Sequence, residues 1–316
     1  MKYLVFGAGA IGSVFAGLLC KAGEEVHLVG RQSHVEAIKQ KGLSITGIWG
    51  EHHVSLSRAY ISASDLPGKD FDVIFLSVKS YDTGQALRQV APYLRKDGMV
   101  VSLQNGLGNV ETLAGVVGAG RTVGGRVIFG VEFVEPGSVK VTVYAEPVMF
   151  GSPGCAVPQD KVRLVVNALN QAGIPSEYTT EIEKFIWAKA LYNVALNPLS
   201  TLLGVNYGFL LENEYTPDIM RELIDEAFCV ASAIGQPLFW ETPGDYMEVL
   251  FSRLIPLTAA HHPSMLQDIR RGKRTEIDSL NGALVRMGEA QGVKTLRNAL
   301  ITRLIKSLES RHITQK

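Results

Sequence analysis

A glycine pattern near the N-terminus constrains the fold of this 316-residue chain more than any other feature. The apolar segment Tyr3–Phe6 runs directly into Gly7-Ala8-Gly9-Ala10-Ile11-Gly12, and apolar residues at helical spacing follow. In a strand–turn–helix unit, the first glycine permits a tight turn, the second lets the backbone approach a pyrophosphate, and the third allows close helix packing. The helix N-terminus then offers N–H groups and positive potential to phosphates. The pattern predicts a Rossmann-type fold in which Gly7, Ala8, Gly9, Ala10, Ile11 and Gly12 contact a dinucleotide.

Composition changes part-way along the chain. Most of the 32 glycines and most valines lie before Tyr178, whereas the remainder is poor in both. Valine favours strands and glycine marks turns between elements. We therefore expect two domains: residues 1–179 as an α/β doubly wound sheet that binds the nucleotide, and residues 180–316 as an all-α domain that binds substrate and carries catalysis.

Periodicity gives a coarse set of elements. Strands are predicted at Glu25–Val29, Val73–Val78 and Met99–Leu103, with an antiparallel or edge portion at Val123–Phe150. A helix is predicted at Lys161–Gln171. In the second domain, helices punctuated by prolines such as Pro198 are predicted at residues 182–197, 217–234, 243–259, 276–290 and 295–309.

Charge excludes several classes of partner. The chain carries 31 basic and 31 acidic residues, so neither nucleic acid nor a polybasic membrane contact is expected. Three widely spaced cysteines offer no disulfide framework, which predicts a cytoplasmic location with reduced thiols. No apolar run reaches the roughly 18 residues that a membrane span needs.

The end of the second strand indicates which nucleotide binds. NAD-binding proteins place an acidic residue there to accept the ribose 2′-hydroxyl, but this strand ends Val29-Gly30-Arg31-Gln32-Ser33. Arg31 can pair with a 2′-phosphate, so we expect NADPH/NADP⁺. The alternative is that Arg31 is a surface residue that caps the next helix.

Two further residues follow predicted strands. Lys79 comes after VIFLSV, and Asn105 after MVVSLQ. Ligands of open α/β sheets bind at the carboxyl ends of the strands, which makes both residues candidates. A solvated lysine and an ordinary Asn-Gly turn are the alternatives.

Polar residues interrupt an otherwise apolar helix. Lys189, Asn193 and Asn197 recur four residues apart within FIWAKALYNVALNP, which places them on one slowly turning face. Unpartnered buried amides and ammonium groups are costly, so this face predicts a polar pocket. A lysine there can donate a proton. The alternative is a lysine that snorkels to solvent beside two structural amides.

A second polar cluster comprises SMLQD at 264–268 and TEIDSLNG at 275–282. Thr275 followed by Asp278 predicts a capped helix start, with Glu276 in the first turn. Glu276 is either functional or merely stabilises the helix. His52-His53 and His261-His262 lack metal-ligand spacing, so no metal site is expected.

These segments together resemble the ketopantoate reductase (2-dehydropantoate 2-reductase) family. The resemblance rests on GAGAIG at 7–12, Arg31, VKS at 78–80, QNG at 104–106, KALYNVALNPL at 189–199 and SMLQD…TEIDSLNG at 264–282. It implies a Rossmann-type N-terminal domain and a helical C-terminal domain like that of 6-phosphogluconate dehydrogenase. It also implies NADPH-dependent reduction of 2-dehydropantoate to (R)-pantoate in pantothenate and coenzyme A biosynthesis.

The resemblance further implies residue roles. Lys189 is the general acid, and Glu276 organises the substrate and the nicotinamide ribose. Asn193 and Asn197 bind the hydroxyl and carbonyl side of the substrate. Ser264 binds its carboxylate, and Lys79 and Asn105 line the junction of cofactor and substrate.

Some alternatives stay open at this stage. His261 stands where many family members have asparagine, so another 2-keto acid is possible as substrate. A β-hydroxyacid dehydrogenase would also use a Lys-x-x-x-Asn pair, and a non-catalytic NADP sensor would share the glycine loop. The chain is expected to act as a monomer or a homodimer.

Overall fold

The computed structural model describes residues 1–313, which form two compact units. Unit 1 comprises Met1–Gln104 and Asn109–Ile182; unit 2 comprises Asn105–Gly108 and the chain from Glu183 onward. The chain thus passes between the units three residues later than the sequence-based division at 179/180. The short segment Asn105–Gly108 belongs to unit 2 although unit 1 flanks it on both sides, which a linear division does not foresee.

Unit 1 contains twelve strands among the described residues. They are β1 (Lys2–Phe6), β2 (Glu25–Val29), β3 (Leu43–Gly47), β4 (His52–Val54), β5 (Ala59–Tyr60), β6 (Phe71–Leu76), β7 (Leu94–Ser102), β8 (Thr122–Arg126), β9 (Phe129–Glu135), β10 (Ser138–Tyr144), β11 (Val148–Gly151) and β12 (Ser176–Tyr178). Its helices are α1 (Ala10–Lys21), α2 (Gln32–Lys41), α3 (Thr83–Val90), α4 (Asn109–Val117) and α5 (Gln159–Gln171).

The main sheet has the order β12-β11-β8-β7-β6-β1-β2-β5, and all pairs except β8–β11 are parallel. Tyr3 and Val5 pack in one apolar cluster with residues of α1, whereas Leu4 and Phe6 pack in another with residues of α3. Both faces of the sheet are therefore covered, as in a doubly wound fold. Strand β1 lies between β2 and β6, so the chain reverses its direction across the sheet there, where such folds bind ligands.

The stretch from Val123 to Phe150 is more divided than predicted. Strand β8 is an interior parallel strand and β11 pairs with it antiparallel, but β9 and β10 leave the main sheet. They join β3 and β4 in a second sheet of order β4-β3-β10-β9. Strands β3 and β4 were not predicted at all.

Unit 2 is helical apart from its turns. Its helices are α6 (Ile182–Leu203), α7 (Tyr207–Glu212), α8 (Thr216–Ala233), α9 (Pro243–Val249), α10 (Ile255–Leu257), α11 (Ser264–Arg270), α12 (Asn281–Gln291) and α13 (Leu296–Ile313). Their buried residues form one apolar cluster. Together with the α/β unit 1, this confirms the predicted fold class. Within residues 1–313, no helix is both long and apolar enough to cross a membrane.

Two of the helix boundaries that differ from prediction lie near predicted site residues. Helix α6 does not end before Pro198 but continues to Leu203, because Leu199 and Ser200 on the following turn are buried in the core. The predicted capped helix start at Thr275 is wrong: a 3₁₀ turn, Ile277–Ser279, comes first and α12 begins at Asn281. Thr275 instead donates its N–H and its hydroxyl to Glu309 of α13, and Asp278 pairs with Lys306 and Arg274.

Candidate active site

The glycine loop of unit 1 is held tightly by the neighbouring strand ends. The N–H groups of Gly7 and Ala8 both donate to the Val29 carbonyl, at 2.9 and 3.1 Å. Gly7 has φ +113°, a backbone conformation that L-residues rarely adopt. The Ser77 hydroxyl donates to the Gly7 carbonyl at 2.7 Å. The loop geometry therefore depends on the ends of three strands, β1, β2 and β6. Ser77 was not predicted, because it lies 70 residues after Gly7 in the chain.

Gly12 allows close packing of α1 against the loop, whereas Gly9 leaves space beside the helix N-terminus. A Cβ at Gly12 would lie 2.1 Å from the Gly7 carbonyl oxygen, so only glycine allows α1 to approach the loop so closely. A Cβ at Gly9 would meet no atom within 4 Å. Gly9 is the N-cap of α1, and the first turn has no side-chain cap and no acidic residue. No capping side chain therefore occupies the first-turn N–H groups, and the space beside Gly9 is open, which fits a bound pyrophosphate.

The start of α1 is anchored to α2 by a buried pair. Ser13 Oγ lies 2.9 Å from His34 Nε2, and the Gly137 N–H donates to His34 Nδ1 at 2.9 Å. Because Nδ1 accepts, Nε2 carries the proton and donates to Ser13. Burial lowers the pKa of His34, which favours this neutral form. No sequence signal identified this support of the loop.

Arg31 lies where the second strand leads into α2. It is the N-cap residue of α2, but its side chain makes no capping hydrogen bond. The side chain is exposed and has no hydrogen bond or ion pair with any described residue. Gly30 lets this corner approach the loop, since a Cβ there would lie 2.2 Å from that of Ala8. An exposed guanidinium at this corner can bind an anionic group.

The carboxyl ends of β6 and β7 are joined by polar side chains. Gln104 donates through Nε2 to the Val78 carbonyl at 2.9 Å and to the Thr83 hydroxyl at 2.7 Å. Thr83 in turn donates to Asn109 at 2.9 Å. Lys79, partly buried, begins the 3₁₀ turn that follows β6. Gln104 is therefore structural, and it fixes the turn from which Lys79 projects.

Unit 2 contains a cavity that gathers four of the predicted site residues. It is lined by Asn105, Asn197, Ser264, Met265, Asp268, Glu276 and Leu280. Asn105 reaches it because residues 105–108 are tied to this unit: the Leu107 N–H donates to the Ser279 carbonyl at 2.7 Å. Gly106 has φ +88°, and a Cβ there would lie 2.4 Å from the same oxygen.

A buried tyrosine sets the orientation of Asn197. The Tyr207 hydroxyl donates to Asn197 Oδ1 at 2.5 Å. Burial, with Tyr192 nearby, raises the pKa of Tyr207 well above its ordinary range, so the phenol stays protonated. Since Oδ1 is occupied, Asn197 offers its Nδ2 donors to a ligand oxygen. Tyr207 was not predicted, because only tertiary structure brings it to Asn197.

The other polar lining residues come from α11 and the turn before α12. Ser264 and Asp268 are four residues apart, hence on one face of α11, a spacing that could have identified Asp268 from the sequence. Glu276 is 9% exposed. The cavity thus combines two amides, a hydroxyl and two carboxyl groups, so it can both donate hydrogen bonds to a ligand and accept them.

On α6, Asn193 lies about one turn before Asn197, and Lys189 lies about two turns before it. Asn193 is 8% exposed and Lys189 is partly buried. Neither is among the described residues that line the cavity, so the structure gathers only part of the predicted polar stripe there.

His261 is linked to the site through Tyr207. The two rings lie 5.3 Å apart between centroids, and the Tyr207 N–H donates to the His261 carbonyl at 3.1 Å. Burial, together with His262, lowers the pKa of His261. His261 therefore contacts the tyrosine that orients Asn197. Among residues 1–313, no cluster of three or more His, Cys, Asp or Glu residues could hold a metal ion.

Comparison with known proteins covers both units. The family Ketopantoate reductase PanE/ApbA matches residues 3–153, and its C-terminal counterpart matches residues 181–309. The 2-dehydropantoate 2-reductase of Aquifex aeolicus is 38% identical over 98% of this chain and 97% of its own. That of Pyrococcus abyssi is 36% identical over 98% of both chains.

Solved structures of similar chains agree with the sequence comparisons. A PanE/ApbA family ketopantoate reductase from Ralstonia eutropha has a TM-score of 0.88 and 30% identity, over 99% of this chain and 100% of its own. D-mandelate dehydrogenase with NADH and anilino(oxo)acetate has a TM-score of 0.87 and 27% identity, with the same coverage. The predicted resemblance is thus confirmed, and the chain belongs to the ketopantoate reductase family.

Proposed function

We propose that the chain is an oxidoreductase that reduces 2-dehydropantoate to (R)-pantoate with NADPH, a step of pantothenate biosynthesis. The observation that carries this proposal is the unit 2 cavity, where Asn105, Asn197, Ser264 and Glu276 meet. A small hydroxy keto acid presents carbonyl and carboxylate oxygens that accept hydrogen bonds and a hydroxyl that also donates one, which suits this mixed lining. Relatives at 36–38% identity that bear the 2-dehydropantoate 2-reductase name support the same substrate.

The residues of unit 1 fit a nicotinamide dinucleotide. The loop from Gly7 to Gly12 would hold the pyrophosphate at the N-terminus of α1, where Gly9 leaves room for it. Arg31 would pair with the 2′-phosphate, and Lys79 would contact the cofactor from the end of β6. When bound, the reduced nicotinamide supplies a hydride to the ketone carbon.

The choice of NADPH over NADH rests on Arg31. D-mandelate dehydrogenase, a structural relative, binds NADH. In this chain the residues from Gly30 to Ser33 offer no carboxylate to accept a ribose 2′-hydroxyl. A guanidinium that has no hydrogen bond or ion pair with the described residues suits a phosphate instead.

In the second unit, Lys189 would hold a proton on Nζ and donate it to the substrate oxygen as charge develops there. Asn193 and Asn197 would donate hydrogen bonds to the hydroxyl and carbonyl side of the acid. Ser264 would bind the carboxylate, Asn105 would contact the substrate, and Glu276 would accept hydrogen bonds from the substrate and the nicotinamide ribose. The net reaction consumes one ketone, one NADPH and one proton, and yields one secondary alcohol and NADP⁺.

A second candidate is the reduction of an aryl 2-keto acid, since D-mandelate dehydrogenase is so similar in structure. A β-hydroxyacid dehydrogenase and a non-catalytic NADP sensor are the remaining alternatives. The oligomeric state, monomer or homodimer, stays a prediction. The cytoplasmic location also stays a prediction.

A panel of acids tests these alternatives. The purified chain is mixed with NADPH and each of several 2-keto acids, including 2-dehydropantoate and phenylglyoxylate, and with NADP⁺ and 3-hydroxy acids. We expect the highest kcat/KM for 2-dehydropantoate. Higher kcat/KM for another acid would reassign the substrate, and NADPH binding without oxidation by any acid would favour the sensor.

A further inference from the structure

Helix α6 contains an interior proline, Pro198, four residues after the buried Val194. In a regular α-helix, the N–H of residue 198 would bond to the carbonyl of residue 194, but proline has no N–H. The proline ring also displaces that carbonyl. Val194 is only 1% exposed, so bulk water does not readily replace the missing donor. A buried carbonyl without a donor is destabilising, and another group must supply one.

Asn281, the first residue of α12, supplies this donor. Its Nδ2 donates to the Val194 carbonyl at 3.2 Å and also to Asn298 Oδ1 at 3.0 Å. Asn298 Nδ2 in turn donates to the Leu223 carbonyl at 3.1 Å and to Glu226 at 2.8 Å. Asn281 and Asn298 are both completely buried. Their amides thus form a relay that joins α6 to α12, α13 and α8.

The relay meets α6 between two of the residues assigned to the substrate. Val194 follows Asn193 directly and precedes Asn197 by less than one turn. Because the 194–198 hydrogen bond is missing, this turn of α6 has one backbone restraint fewer than a regular helix. The bond from Asn281 adds a restraint at Val194, between Asn193 and Asn197. Leu280, the neighbour of Asn281 in the chain, lines the same cavity as Asn197.

We propose that Asn281 is a positioning residue for the keto acid: its amide replaces the N–H that Pro198 lacks and so holds the turn of α6 that carries Asn193 and Asn197. This inference rests on the proposed function only for the identity of the ligand. The hydrogen bond itself can be tested without substrate.

A double-mutant cycle with Pro198→Ala provides the test, since alanine restores the N–H for Val194. We expect Asn281→Ala to raise the KM for 2-dehydropantoate by about tenfold or more, to lower the melting midpoint, and to leave the Kd for NADPH within about twofold. In the Pro198→Ala background, the same substitution should change KM and the melting midpoint much less. Recovery of folded Asn281→Ala protein only in that background would also support the proposal.

Thr242→Ala is the matched control, because it removes the hydrogen bond from the Asp245 N–H that caps α9 and does not touch α6. It should lower the melting midpoint without raising KM. Equal effects of Asn281→Ala in both backgrounds would overturn the relay. The two substitutions could be coupled in the melting midpoint while Asn281→Ala leaves KM unchanged. That result would overturn the positioning role and leave the relay in place. Absence of turnover in the unmodified chain would contradict the proposed function, while the melting data would still decide whether the relay exists.

Discussion

The substitution Gly9→Ala should weaken cofactor binding and leave the stability of the fold nearly unchanged. Gly9 has φ −80° and ψ −170°, extended backbone that alanine adopts without strain, and a Cβ there meets no atom within 4 Å. Alanine is a poorer N-cap than glycine, but it also lowers the entropy of the unfolded chain, an effect of about 0.4–1 kcal/mol. The weaker cap lowers the free energy of unfolding, and the lower entropy of the unfolded chain raises it. We therefore expect the free energy of unfolding to change by less than about 1 kcal/mol.

The same methyl group would fill the space assigned to the pyrophosphate. If the phosphate moves away and loses one hydrogen bond from the first turn of α1, the loss is about 1.5–3 kcal/mol, as for hydrogen bonds to charged groups. This corresponds to a rise of roughly ten- to a hundredfold in the Kd for NADPH.

Calorimetric titration with NADPH measures the affinity, and the melting midpoint without ligand measures the fold. Gly12→Ala is the contrasting variant: its Cβ would lie 2.1 Å from the Gly7 carbonyl oxygen, so it should lower the melting midpoint itself. A Gly9→Ala protein that binds NADPH as tightly as the unmodified chain would refute the assignment of the loop.

Three further predictions concern single side chains. Arg31→Ala should raise the Kd for NADPH by about tenfold and leave that for NADH unchanged; an equal change for both nucleotides in titrations would remove Arg31 from the 2′-phosphate site. Lys189→Ala should lower kcat by about a hundredfold or more with the Kd for NADPH within about twofold, and steady-state rates near those of the unmodified chain would exclude the acid role. The pKa of His34 is lowered by burial, so the unfolded chain binds a proton more readily, and stability present at neutral pH should be lost as the pH falls below about 6.5. Melting midpoints from pH 7.5 to 5 should fall less steeply in His34→Gln, whereas an unchanged slope would contradict this.

The glycine loop could be predicted from the sequence because its requirements are local. A tight turn, a close helix approach and an open N-terminus follow from six consecutive residues, and the structure adds only the remote supports Ser77 and His34. The parallel pairing in the main sheet also follows from alternating strands and helices. The second sheet was missed because β3 and β4 are short, and because β3 joins the distant strand β10.

The unit 2 cavity was predicted less completely. The resemblance named Asn197, Ser264 and Glu276, but Tyr207 was missed because its role depends on tertiary contact rather than on spacing. Helix α6 was expected to end before Pro198, because propensity rules include neither the burial of the following turn nor the amide of Asn281, which lies 87 residues beyond Val194.

Quantifying the product of the unmodified chain tests the central proposal most directly. The chain is incubated with limiting NADPH and excess 2-dehydropantoate, and pantoate is measured together with the NADPH consumed. We predict one (R)-pantoate formed per NADPH oxidised. NADPH consumption without pantoate, or no consumption above the rate without enzyme, would contradict the proposed activity.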